Sequence, residues 1–206
     1  MSDRPSNFNV PNALTVLRLV AVPLFGWMLL SHPVDATWRS WTTVVFVLAI
    51  LTDFIDGKIA RHYNLITDFG KIWDSVADKA LTGMAFIGLS IIGELPWWIS
   101  GLILIREWGI TLMRVFMLKY EVMAANKGGK YKTAIQSLAI TLWCIGLWRT
   151  PTWFDVVAWV AMYAALALTV ITGVMYIIDA VRIRRAALVA GEGHDAGQHR
   201  RDADES

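Results

Sequence analysis

Asp53-Phe54-Ile55-Asp56-Gly57-Lys58-Ile59-Ala60-Arg61 and then, after a gap of eight residues, Gly70-Lys71-Ile72-Trp73-Asp74-Ser75-Val76-Ala77-Asp78 set four aspartates into two apolar stretches. A carboxylate at membrane depth is costly unless a cation meets it. The spacing makes geometric sense if both flanks are helical. At about 100° per residue, Asp53, Asp56, Gly57 and Ala60 fall within roughly a third of one helix circumference, and Gly70, Asp74 and Asp78 lie on one stripe of the next. The short polar link from His62 to Thr67 makes the two helices antiparallel, so their carboxylates converge on one cavity.

The rest of the chain supplies an apolar setting. Of 206 residues, 56% are hydrophobic and 17% charged, whereas soluble domains carry about 25% charge. Apolar stretches recur six times, near residues 13–30, 37–55, 68–92, 97–118, 133–148 and 153–178, against a need for about 20 residues per span. The fold expected is an all-α integral membrane bundle of six transmembrane helices around a cytoplasm-facing polar cavity. Residues 1–12 read as an interfacial N-terminal segment, 13–185 as the membrane domain, and 186–206, which lack apolar periodicity, as a disordered cytoplasmic tail. His194 and His199 in that tail have no scaffold to make them ligands.

Arg4, Lys58, Arg61, Lys71, Lys119, Lys127, Lys130, Lys132, Arg182, Arg184 and Arg185 fall on one side of this topology, against Arg39 and Arg149 on the other. The positive-inside rule then puts both termini and the aspartate cluster on the cytoplasmic side of a bacterial plasma membrane. Trp38, Trp41, Trp97, Trp98, Trp148 and Trp153 form the aromatic belt at the outer helix ends. A net charge of +2 gives no support for nucleic-acid binding. The single cysteine, Cys144, excludes an intramolecular disulfide and a cysteine-rich metal site. The segment before the first span, with Asp3 and Arg4, lacks the features of a cleavable signal, so helix one is expected to stay. No Gly-rich phosphate loop occurs, which leaves phosphate binding to metal and arginine.

The spacing Asp53-x2-Asp56-Gly57-x2-Ala60-Arg61-x8-Gly70-x3-Asp74-x3-Asp78 resembles the signature of the CDP-alcohol phosphatidyltransferases. These membrane enzymes move a phosphatidyl or similar group from a CDP-linked donor to an alcohol. All eight fixed positions match, a coincidence on the order of one in a billion for a given frame. The resemblance implies that Asp53, Asp56 and Asp74 are metal ligands, and that Asp78 completes the metal site and is the general base. It also implies that Asp56, Gly57, Ala60, Arg61 and Gly70 border the CDP-donor site. Mg²⁺ or Mn²⁺, two ions in number, fit oxygen ligands and a pyrophosphate to be cleaved. A homodimer is what the family suggests. Ser75 departs from relatives that place proline after the third aspartate, and removes no ligand.

Arg106-Glu107-Trp108-Gly109-Ile110-Thr111-Leu112-Met113-Arg114 places two cations and an anion inside an apolar span, where such residues face the interior or a wet cavity. One reading is a Glu107–Arg114 network bridged by Thr111. The other is an anion pocket of Arg106 and Arg114 joined by Lys127, Lys130 and Lys132 from the adjoining loop. Thr15 and Arg18, in Asn9-Val10-Pro11-Asn12-Ala13-Leu14-Thr15-Val16-Leu17-Arg18, read either as an interfacial anchor or as further phosphate contacts. A phosphorylated acceptor needs such a pocket, and the segments around Thr67–Lys79, Arg106-Glu107 and Gly128–Thr133 resemble the branch of the family that accepts glycerol 3-phosphate. The expected activity is transfer from CDP-diacylglycerol to glycerol 3-phosphate with release of CMP. Its rivals are a synthase using inositol 3-phosphate, cardiolipin or phosphatidylserine synthesis and, in another class, a divalent cation channel or carrier. The last leaves Gly57, Ala60 and Arg61 unexplained.

Overall fold

The computed structural model describes the backbone of residues 10–62, 68–117 and 128–204, and the side chains of residues 12–53, 55, 73–113 and 131–182. Among these the chain is helical, with no strand: α1 Val10–Ser31, α2 Ala36–His62, α3 Asp68–Ile91, α4 Trp97–Met117, α5 Gly128–Cys144 and α6 Thr152–Asp204, with a 3₁₀ turn at Leu147–Arg149. The six helices follow the six apolar stretches. Hydropathy marks the apolar part of a helix rather than its hydrogen-bonded ends. Thus α2 continues past Ile55 through the second half of its aspartate motif, and α5 begins at Gly128, taking in Lys130 and Lys132, which were expected on a loop.

The tail differs too. Residues 186–204, expected to be disordered, continue α6 as helix, since Ala186-Ala187-Leu188 and the arginines beside them favour helix without needing an apolar stripe. Among the described residues, two helical segments are long and apolar enough to cross a membrane, Asn12–Ser31 and Thr152–Arg182.

The helices interlock out of chain order. α1 packs on α3 and α2, α5 on α6, and α6 also on α4. The seam between α1 and α3 is close because each helix offers a glycine to a side chain of the other. A Cβ at Gly26 would lie 2.8 Å from Met84 Sδ, and one at Gly88 would lie 2.7 Å from Leu29 Cδ2. Small residues permit this approach, and dispersion between the helices repays it. Phe25 and Leu29 of α1, Phe46 of α2, Leu81, Phe86 and Leu89 of α3, Ile103 of α4, Trp143 of α5 and Met162 of α6 form one continuous core. Phe25 and Phe46 meet with ring centroids 5.5 Å apart.

At one end of the bundle Asp35 caps α2, its Oδ1 accepting from the Thr37 and Trp38 amides at 2.8 and 3.0 Å. The α3–α4 turn passes through Gly93 at φ 78°, a conformation open to glycine, and presents Glu94 to Arg39. Arg39, wholly buried, donates through Nη2 to Glu94 Oε2 at 2.7 Å and to the Trp143 carbonyl at 2.8 Å. One side chain thereby ties α2, the α3–α4 turn and the end of α5. Burial pushes the Glu94 carboxyl above the ordinary carboxylate range, against the opposing pull of Arg39.

Candidate active site

The aspartates lie at the other end. Helical periodicity puts Asp74 and Asp78 one turn apart on α3, and α1 brings Arg18 to them. Arg18 Nη1 sits 2.6 Å from Asp53 Oδ1 and 2.9 Å from Asp74 Oδ1, with the arginine side chain 1% exposed and the carboxylates 37% and 44% exposed. One buried cation thus links α1, α2 and α3, while both carboxylates keep an open side. Asp78 feels the charges of Arg18, Asp74, Lys79 and Lys132, and Asp53 those of Asp78 and Asp74. Three of the four expected carboxylates therefore share one electrostatic site.

Asp56, Gly57, Ala60, Arg61 and Gly70 fall on the backbone of α2 and α3, but their side chains lie outside the described residues. Among the described residues no group of three His, Cys, Asp or Glu side chains is set to hold a metal ion. The donor set nevertheless suits a hard cation. Asp53 and Asp74 come from different helices and already converge on one positive nitrogen, and carboxylate oxygens are the ligands Mg²⁺ and Mn²⁺ prefer.

Beside the carboxylates lies a second cluster of charge. Lys132, buried at the start of α5, is paired with Glu107 Oε1 of α4. Arg106 Nη1 approaches the same oxygen at 3.5 Å. Lys132 also lies within electrostatic reach of Asp78 and Lys79. Lys79 donates to Thr111 Oγ1, which itself donates to the Glu107 carbonyl at 2.9 Å. Glu107 is thus held by Lys132 and Arg106. The side chains of Arg114, Lys127 and Lys130 lie outside the described residues. Thr15 is buried on the same face of α1 as Arg18.

The sequence missed the part α6 plays here. Arg106 Nη2 donates to Thr172 Oγ1 at 2.6 Å, its guanidinium carbon lies 5.9 Å from the Tyr176 ring centroid, and Gly173 faces its side chain. The signal was present: Thr169, Thr172, Gly173 and Tyr176 form an i, i+3, i+4, i+7 stripe of polar, small and aromatic residues in an apolar helix, and such a stripe points inward.

A family model described as CDP-alcohol phosphatidyltransferase matches residues 8–171, and the chain belongs to that family. Among curated proteins it is 45% identical over 177 residues to a Mycobacterium tuberculosis (strain CDC 1551 / Oshkosh) protein named "Probable phosphatidylglycerophosphate synthase", covering 84% of this chain and 82% of the relative. It is 36% identical over 173 residues to the CDP-diacylglycerol--glycerol-3-phosphate 3-phosphatidyltransferase of Rickettsia typhi (strain ATCC VR-144 / Wilmington), covering 82% and 94%. With the enzyme of the same name from Bacillus subtilis (strain 168), the identity is 33% over 187 residues, covering 82% and 93%.

Proposed function

We propose that the protein transfers the phosphatidyl group of CDP-diacylglycerol to glycerol 3-phosphate, giving phosphatidylglycerophosphate and CMP. The observation that carries this reading is the juxtaposition of two charge clusters. Asp53, Asp74 and Asp78 gather on one side, and Lys132 and Arg106 beside them converge on one anionic oxygen. A carboxylate site suits the cation that accompanies a pyrophosphate, and a cationic site suits an acceptor that carries its own phosphate. The names of the relatives agree with that pair of substrates.

Asp53, Asp56, Asp74 and Asp78 would hold Mg²⁺ or Mn²⁺, two ions by the family resemblance, which when bound offset negative charge on the attacked and departing phosphates. Asp78 takes the proton of the acceptor hydroxyl as that oxygen attacks the lipid-bearing phosphorus of the donor. The new P–O bond forms as the bond to CMP breaks, and CMP leaves with the electron pair. No covalent enzyme intermediate is needed. Gly57 and Ala60 leave space for the nucleotide, Asp56, Arg61 and Gly70 border it, and Lys132, Arg106, Arg114, Lys127 and Lys130 receive the acceptor's phosphate, with Thr15 and Arg18 at its margin.

The setting we infer is a bacterial plasma membrane, crossed six times by residues 13–185 with both termini in the cytoplasm and the polar cavity facing it, in a homodimer. Large apolar side chains exposed on the outer faces support it, among them Val20 and Trp27 of α1, Ile105 of α4, and Val160 and Ile171 of α6.

CMP release from CDP-diacylglycerol by purified protein with Mg²⁺ tests the activity. Glycerol 3-phosphate should support it and inositol 3-phosphate, serine and phosphatidylglycerol should not, with Asp78→Asn slower by about 10²-fold or more. Release with a different acceptor overturns the choice of alcohol. Metal-dependent cation flux without CMP release overturns the enzyme.

A further inference from the structure

Arg106 rises from the apolar middle of α4 and does not stand alone there. Its Nη2 donates to Thr172 Oγ1 at 2.6 Å. That hydroxyl gives its own proton to the Leu168 carbonyl, also at 2.6 Å, so its role toward the guanidinium is fixed as acceptor. One residue on, Gly173 leaves the space the arginine side chain fills: a Cβ there would lie 3.1 Å from Arg106 Cγ and 3.2 Å from Nε. One turn further, the Tyr176 ring lies beneath the cation at 5.9 Å. Three positions of α6 thus grip one side chain by a hydrogen bond, a vacancy and a ring face.

On its other side Arg106 Nη1 turns to Glu107 Oε1, the oxygen that also takes Lys132. Two cations from different helices therefore meet at one anionic oxygen. A phosphate oxygen presents the same charge and the same acceptor lone pairs.

We propose that Thr172, Gly173 and Tyr176 are positioning residues that aim Arg106, together with Lys132, at the phosphate of the acceptor, which makes α6 a determinant of acceptor choice. The proposal rests on the reading of Arg106 and Lys132 as acceptor-phosphate ligands. None of the three touches the reacting atoms. Their effect passes through the direction of the guanidinium, and a fork of fixed donors is sensitive to direction.

Gly173→Ala separates this role from a merely structural one. The added methyl group meets the methylene stem of Arg106, which is anchored to the helix and has to shift as a whole. Alanine is also the better helix former, so the fold itself has no reason to weaken. With full-length protein, CDP-diacylglycerol and glycerol 3-phosphate, Gly173→Ala and the isosteric Thr172→Val should each raise KM for glycerol 3-phosphate about tenfold, the worth of one weakened charge-assisted hydrogen bond. Both should leave kcat and KM for CDP-diacylglycerol within about twofold. Thr172→Ser, which keeps the hydroxyl, should behave as wild type. An unchanged KM for glycerol 3-phosphate in Gly173→Ala, or equal losses for both substrates with a lowered Tm, overturns the proposal. Should Thr172→Val not survive purification, Gly173→Ala decides alone. Arg106→Gln tells the two levels apart. If it leaves that KM unchanged, the acceptor pocket itself is wrong; if it raises it while the α6 variants do not, only the role of α6 falls.

Discussion

Arg18 is the only charged residue of α1, and it is spent on two aspartates. In the absence of metal this guanidinium is what allows Asp53 and Asp74 to face one another. Arg18→Gln should therefore lower Tm in metal-free buffer. Breaking an enclosed ion pair costs about 3–5 kcal/mol, and these carboxylates are more than a third exposed, so about 2 kcal/mol is the expected scale. Added Mg²⁺ should recover more stability in the variant than in wild type, because it supplies the missing cation. Thermal unfolding in detergent with and without Mg²⁺ checks this, and a variant that melts with wild type in metal-free buffer sinks it. That Asp53, Asp74 and Asp78 come together was legible from spacing alone. Arg18's place between them was not, because a residue 56 positions distant in sequence joins a site through packing, and periodicity carries no information about which helices become neighbours. Glu107 shows the same limit: its Lys132 partner comes from α5, which no periodicity on α4 could name.

Helices were easier to find than their ends. The apolar stretches gave all six elements, but α2 and α5 extend into polar sequence where backbone hydrogen bonding continues after hydrophobicity stops. The α3–α4 turn illustrates what an end can do. Glu94 has its carboxyl pushed up by burial more than Arg39 pulls it down. A carboxyl raised in the folded state binds its proton more tightly there than in the unfolded chain. Its contribution to stability is full below the unfolded pKa and declines as pH rises through the folded one. Measured against Glu94→Gln at each pH, wild-type Tm should fall as pH is raised from about 4 and then level off once Glu94 is ionised in both states. A difference that stays flat across that range, or grows with pH, contradicts the burial argument.

At the scale of the whole molecule, the charge asymmetry predicts which end faces which compartment. Val34 lies in the α1–α2 turn and is 74% exposed, on the side opposite the aspartates. In a Cys144→Ser background, Val34→Cys should react with a membrane-impermeant maleimide added to intact cells, and Ser206→Cys should react only after lysis. The reverse pattern would invert the topology and put the carboxylates outside, away from cytosolic nucleotides. Composition alone was enough to expect helices in a bilayer. It says nothing of which helix meets which, since lipid-facing and core-facing side chains in such a chain are equally apolar, and the role of α6 at Arg106 stayed hidden for that reason.

The tie made by Arg39 also has a bearing on time. Its partners are a carboxylate 55 residues later and a carbonyl 104 residues later, and at roughly 5–20 residues per second the second is not synthesised for about 5–20 s after the arginine. The carboxylate comes sooner, about 3–11 s after the arginine at the same rate, so Arg39 meets its acid before its carbonyl. Closure of this end of the bundle therefore waits on α5, whose last turn supplies the second acceptor of the Arg39 guanidinium.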